Sequence, residues 1–228
     1  MDGFFIMLTS EILNRIHVLL EKDVSYPTST DEDYLVRLEL IKEAVSVWAY
    51  DENTEWNELI ISVQDAEDGD KTTDGTAILQ CPTDFRKVIG PVMVGSGSNA
   101  IVYTRINPHK ATEWAENNKD GFFITGNPKV GYKINLVNTI PETGQDVYYN
   151  YYKTPIIPSD GTDVPEISDP QFIIYWVLSE LTKEDDPALA STYLQVAINK
   201  LDSMRLSNEQ PTYYQENTIP DPMVGFGS

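Results

Sequence analysis

Cysteine, histidine and cations are scarce in this chain. Its 228 residues include one cysteine, Cys81, and two histidines, His17 and His109. A lone cysteine forms no internal disulfide, so cross-links do not hold this fold together. Structural zinc needs about four Cys and His ligands at set spacings, more than this inventory supplies. Only 16 Lys and Arg face 36 Asp and Glu, a formal net charge of −20. A chain so acidic repels nucleic-acid phosphate, which argues against a basic DNA- or RNA-binding domain.

Long apolar runs are missing as well. No run approaches the ~20 residues of a membrane span. The opening Met1-Asp2-Gly3-Phe4-Phe5-Ile6-Met7-Leu8 sets an acid, and no cation, ahead of five apolar residues, unlike a secretory signal. The chain is expected to be soluble and cytosolic at synthesis, with no membrane partner. Hydrophobic residues make up 41% and aromatic residues 11%, too apolar for an acidic disordered chain. At this length folding buries roughly 70% of the surface exposed when unfolded, enough for one sizeable core or two small ones.

Periodicity divides the chain into three textures. Ile12, Leu13, Ile16, Leu19 and Leu20 predict a helix from Thr9 to about Lys22, with Thr9 or Ser10 as N-cap and Tyr26-Pro27 beyond its end. Leu35, Leu38, Ile41, Val45 and Trp48 predict a second, from Asp31 to Tyr50, capped by Thr30, with Asp31, Glu32 and Asp33 at the electropositive N-terminal turn. Trp56, Leu59, Ile60 and Val63 suggest a further short helix, and Asp65 to Gly75 reads as loop.

Short β-type runs follow at Phe85–Ile89, Ile101–Ile106, Phe122–Thr125, Tyr132–Val137 and Val147–Tyr152. Gly95-Ser-Gly-Ser-Asn99 reads as a turn, and Pro108 to Asn118 as an excursion carrying Trp114. Helical period then returns. Ser168-Asp-Pro-Gln171 reads as a capping box, followed by the stripe Phe172, Ile173, Trp176, Val177 and Leu181. Asp186 and Pro187 start a last helix whose seam is Ala190, Leu194, Ala197, Leu201 and Met204.

The expected fold class is therefore α+β and mainly helical. An N-terminal helix pair and a C-terminal antiparallel helical hairpin carry an inserted small antiparallel β-domain and an extended C-terminal tail. Expected boundaries are 1–75 for the N-terminal helices and acidic loop, 76–153 for the β insert, 154–207 for the hairpin and 208–228 for the tail. The hairpin is expected to pack with 1–75 as one helical domain.

No catalytic constellation stands out. Nucleophilic catalysis needs Ser, Cys or Thr held against an oriented base. His17 sits among Ile16, Val18 and Leu19, and His109 follows Pro108, neither in such a setting. Cys81 before Pro82 reads as a small core residue. The acids of Asp65–Asp74 could draw a cation, but their glycines miss the EF-hand position and the terminal Glu is missing. Gly95-Ser-Gly-Ser lacks the Lys-Ser/Thr of a phosphate loop. Carboxylate pairs arise by chance among 36 acids. No enzyme activity, metal or cofactor is expected.

Interaction surfaces are better candidates. Residues 31–70 hold 13 acidic and 2 basic side chains, whereas 85–133 hold 7 basic and 3 acidic. Opposite charges meeting between copies would follow, the plainer alternative being a solvated acidic face. Asp65, Glu67, Asp68 and Asp70 are candidates for an acidic channel or solvent face. Strand alternation puts Tyr149 and Tyr151 on one face and Tyr148 and Tyr152 on the other; Tyr149 and Tyr151 are the candidate interface of the β insert. The tail has prolines 211, 220 and 222 and the anchors Tyr213, Tyr214, Ile219, Met223 and Phe226, a candidate partner-binding segment.

Several strings, in this order, resemble the head-to-tail adaptor (connector) proteins of tailed bacteriophages, particularly short-tailed ones. They are Cys81-Pro-Thr-Asp-Phe85, Phe122-Phe-Ile-Thr-Gly126, Ile134-Asn-Leu136, Val147-Tyr-Tyr-Asn-Tyr-Tyr-Lys-Thr-Pro155, and Asp163-Val-Pro-Glu-Ile167 leading into Gln171–Leu206. With the order of elements, the resemblance covers about Thr9 to Asn208; Cys81 stands where the family usually has Leu, and 90–118 is poorly matched. The resemblance implies a structural virion protein, assembled in the host cytoplasm and placed at the neck. Commonly twelve copies form a ring beneath the portal protein and support tail hub, nozzle or fibre proteins. Genomic DNA passes through without specific binding. Twelve copies would carry roughly 240 negative charges, and an acidic lumen would keep the duplex from adhering. The alternatives are a stopper or tail terminator and, from another class, a carbohydrate-binding surface module suggested by 13 Tyr and 4 Trp.

Overall fold

A computed structural model describes residues 7–52 and 54–209. Five α-helices are seen among them: α1 (Thr9–Glu21), α2 (Glu32–Ala49), α3 (Ala111–Glu116), α4 (Gln171–Thr182) and α5 (Pro187–Glu209). Seven strands accompany them: β1 (Ile60–Ser62), β2 (Ile78–Gln80), β3 (Phe85–Val94), β4 (Ile101–Arg105), β5 (Gly121–Asn127), β6 (Gly131–Val137) and β7 (Val147–Lys153).

The strands form one sheet in the order β1-β7-β3-β4-β5-β6-β2. All neighbours are antiparallel except β4 and β5, which run parallel through Thr104↔Gly121 and Arg105↔Phe122. This overturns the expectation of a mainly helical protein with a small antiparallel insert: the sheet is large and mixed. Three physical reasons explain the difference. β1 and β2 have three residues each, too few to show alternation. Gly90-Pro91 looks like a strand end, yet β3 continues through a register shift between Ile89 and Met93, where a bulge tolerates a residue without an N–H. The excursion containing α3 returns the chain in the same direction, as a parallel pair requires. The short helix expected around Trp56–Val63 is instead a 3-10 turn at Asn57–Leu59, strand β1, and a second turn at Val63–Asp65.

Two apolar cores result. Helix α4 is packed by α1, α2 and α5, and Phe172, Ile173, Ile174, Val177 and Leu178 are all buried, as a helix enclosed on several sides requires. Trp48 and Trp56 lie in the same cluster, 5.6 Å apart, with the Trp56 indole N–H donating to the Trp48 carbonyl at 2.7 Å. The second core lies inside the sheet and gathers Leu79, Phe85, Val92, Tyr103, Phe122, Ile134, Tyr149 and Tyr151 among others. Tyr152, on β7, points the other way and belongs to the helical cluster.

Helix ends depart from expectation in informative ways. Thr9 does not cap α1: its N–H and hydroxyl both donate to the Asp163 carbonyl at 2.8 Å, and the Glu11 carboxylate accepts from the Leu8 N–H at 2.8 Å. Asp31, and not Thr30, stands at the N-cap of α2. At α4 the expected Ser168 capping box is replaced by Asp169, whose carboxylate accepts from the Gln171 N–H at 3.0 Å. The Asp186-Pro187 start of α5 is as expected, with Asp186 accepting from Leu189 N–H at 3.0 Å. Gly126 is required where it stands: at φ +105° an added Cβ would lie 2.0 Å from the Gly131 carbonyl oxygen across the β5–β6 hairpin.

Candidate interaction surfaces

The histidines and the cysteine are occupied or isolated. His17 is buried between α1 and α2, where Arg37 donates to its Nδ1 at 2.7 Å. Because guanidinium has no acceptor, His17 Nδ1 carries the lone pair there. Arg37 also reaches Glu21 at 3.3 Å and Asp33 at 3.7 Å, a structural tie between the helices. His109 is exposed on the excursion before α3. Burial pushes the Cys81 thiol up to about 12, which keeps it protonated and unreactive. Among the described residues no group of three metal-ligating side chains is assembled.

The acidic loop divides into tethers and free charges. The Asp68 carboxylate accepts from the Thr83 N–H at 2.8 Å and Asp70 from the Gln80 N–H at 2.6 Å, so both bind the loop to the sheet. Asp65 and Glu67 are exposed and make no ion pair among the described residues. Further stitches run from Gln64 to the Lys71 and Val147 carbonyls and from Thr73 N–H to the Gln145 carbonyl.

Alternation along β7 is as expected, but the candidate interface pair is on the face turned into the sheet core, and Tyr152 on the other face is buried against the helices. Tyr149 and Tyr151 are buried in the sheet core, and Tyr151 donates to Asp84 at 2.7 Å. They are packing residues and present no surface. Tyr148 is the exposed member. It sits in register beside Met93, which in turn pairs with Val102, so three strands line up Tyr148, Met93 and Val102 at 37%, 37% and 50% exposure. Sequence reasoning missed this row by ending β3 at Ile89; alternation carried on through Val92-Met93-Val94 would have found it. A groove of about 520 Å³ adjoins the row, bordered by Gly90, Pro91, Val102, Thr104 and Arg105.

The second apolar surface is the outer side of α2. Leu35, expected in the core stripe, is 49% exposed, beside Val36 at 46% and Val47 at 43%. Leu35, Val36, Glu39, Leu40 and Glu43 border a shallow groove of about 560 Å³. Of the tryptophans, Trp48 and Trp56 are buried and so unable to stack on a sugar, and Trp114 and Trp176 are half-buried. The candidate anchors Tyr213, Tyr214, Ile219, Met223 and Phe226 lie outside the described residues. None of the described helices is long and apolar enough to cross a membrane.

Comparison with known proteins adds the missing context. No curated protein matches the chain. The family model described as SU10 adaptor protein matches residues 9–219, spanning both cores, the acidic loop and both apolar surfaces. A fold organised around surfaces, in a chain whose ordered strings resemble phage connectors, thus carries the family's pattern along almost its whole length. It belongs to the SU10 adaptor protein family, structural phage adaptors associated with other virion proteins.

Proposed function

We propose that this chain is the head-to-tail adaptor of its virion, of the short-tailed type. Twelve copies close a ring beneath the portal protein and present a platform to tail hub, nozzle or fibre proteins. The family match over residues 9–219 carries this reading. Charge supports it: a net of −20 per copy suits a wall past which DNA slides without sticking. The tail 208–228 is assigned to a groove or strand edge on a partner, with Tyr214 or Phe226 as anchors.

The test is to add the purified chain to DNA-filled heads that carry portals but no tails, and to image the vertex. Twelvefold density from this chain beneath the portal is the expected result. Sixfold density would transfer the chain to a stopper or terminator role, and absence from purified virions would overturn the reading. Removing residues 209–228 is expected to weaken docking; unchanged docking would dismiss the tail assignment.

A further inference from the structure

Each of the two exposed apolar surfaces is edged by exposed charges that make no ion pair among the described residues, acids on α2 and a cation beside the sheet row. On α2, Leu35, Val36 and Val47 alternate with Glu32, Glu39 and Glu43. Glu39 is held by Lys42 at 2.7 Å, but Glu32 and Glu43 are exposed with no ion pair among the described residues. On the sheet, Tyr148, Met93 and Val102 adjoin a groove bordered by Arg105, an exposed cation that likewise makes no ion pair among the described residues. A helix apolar on its outer side as well as its inner side is one that ends up covered.

We infer that the outer side of α2 in one copy docks on the Tyr148–Met93–Val102 row and adjoining groove of a second copy, with Glu43 meeting Arg105. This rests on the adaptor reading and names the contact between its subunits. The occupant is a second copy because the unpaired acids of α2 and Arg105 beside the sheet row complement one another on one chain, Lys42 being engaged by Glu39 and Asp146 by the Tyr148 hydroxyl. Gly90 and Pro91 leave the groove floor low beside the bulge, so that a helix ridge such as Leu35-Val36-Glu39 has somewhere to enter. Two different patches meeting head to tail make a heterologous contact, which closes into a ring when the rotation per step divides a full turn.

Charge exchange and cross-linking test this on the full chain, concentrated alone and mixed with portal assemblies. Glu43→Lys alone and Arg105→Glu alone each set like charges together and are expected to lower assembly by about tenfold or more. Mixed in equal amounts, the two variants can alternate so that every contact again joins opposite charges, and assembly is expected to return. Independently, V36C with V102C should give an oxidised ladder of covalent multimers, whereas V36C with V130C, at the exposed tip of the β5–β6 hairpin, should not. Native Cys81 is buried and adds little background. Rings that form normally from both single variants, or equal ladders from both cysteine pairs, would overturn the contact while leaving the adaptor reading intact. A wild-type chain that never assembles on portals would overturn both.

Discussion

Isoleucine, leucine, valine and two tryptophans fill the core beneath α4, whereas the core inside the sheet includes three buried tyrosines, Tyr103, Tyr149 and Tyr151. Hydrocarbon needs only to be enclosed, but each buried phenol brings a hydroxyl that must find a partner. The sheet meets that demand with Asp84 for Tyr151 and the Thr139 carbonyl for Tyr103, but leaves the buried Tyr149 hydroxyl with only the Cys81 side chain beside it. Its stability is therefore more sensitive to protonation and to single hydrogen bonds, while the helical core responds chiefly to lost volume.

The largest expected effect tests whether the two cores are separate at all. Trp48 is fully buried and packed at a tilt against Trp56, so Trp48→Ala is expected to cost about 3–5 kcal/mol. Tyr152 reaches from β7 into the helical cluster, and Ile60 and Ile89 pack against it from β1 and β3. Helix and sheet signals should consequently fall together in one thermal transition. Circular dichroism in the far ultraviolet and tyrosine signals in the near ultraviolet would show it. A helical signal that melts earlier, with the tyrosine signal unmoved, would divide the chain into two folding units.

A smaller effect is expected at the buried polar tie of the helices. Arg37→Ala removes the donor to His17 and the bridge to Glu21 and Asp33. Both carboxylates are at least half solvated and are not left as buried charges, so the loss is about 1–3 kcal/mol, dominated by His17. Arg37→Met, which keeps the volume, should recover part of it in denaturant titration. No difference between the two variants would place the effect in the lost hydrogen bonds and charge alone, with no part for packing.

The same contrast explains what was legible in the sequence. Helical period exposed α1, α2, α4 and α5 directly, because three- and four-residue spacing persists over many turns. Five strands were visible for a similar reason. What escaped depends on partners distant in sequence: β1 and β2 exist only because β7 and β6 accept them, and the cap of α1 is made by Glu11 while Thr9 binds a carbonyl 154 residues away. Leu35 shows the limit for the site. Its spacing fits the core stripe, yet the packing of α2 on α4 leaves it outside, and spacing alone does not distinguish a core face from a docking face. Family membership was legible because it rests on ordered local strings, whereas Tyr149 and Tyr151 were given to the surface for want of knowing which face of β7 the sheet encloses.

The smallest effect sharpens the comparison through pH. Burial, reinforced by the nearby Asp120 charge, holds the Tyr103 phenol up at about 12, and burial with the Glu55 hydrogen bond does the same for Tyr152. Tyr149 and Tyr151 are raised as well, chiefly by burial. In the unfolded chain these groups release protons near pH 10, so above that pH the folded state binds more protons and stability falls with rising pH. For Tyr103 and Tyr152 the contribution is complete below about pH 9 and disappears as pH rises through about 12, while Tyr149 and Tyr151, raised further, go on losing theirs beyond it; each such group steepens the slope by up to about 1.4 kcal/mol per pH unit. Three of the four lie in the sheet core, which makes the sheet the alkali-sensitive half. Tyr103→Phe loses the bond to the Thr139 carbonyl, which is exposed and regains water, so it should cost about 1 kcal/mol at neutral pH. Because the variant no longer titrates there, its deficit should shrink between pH 10 and 12 in denaturant unfolding. A deficit constant across that range would mean that the phenol is ionising in the folded protein as readily as in the unfolded one, and the chemical distinction between the two cores would fail at this residue.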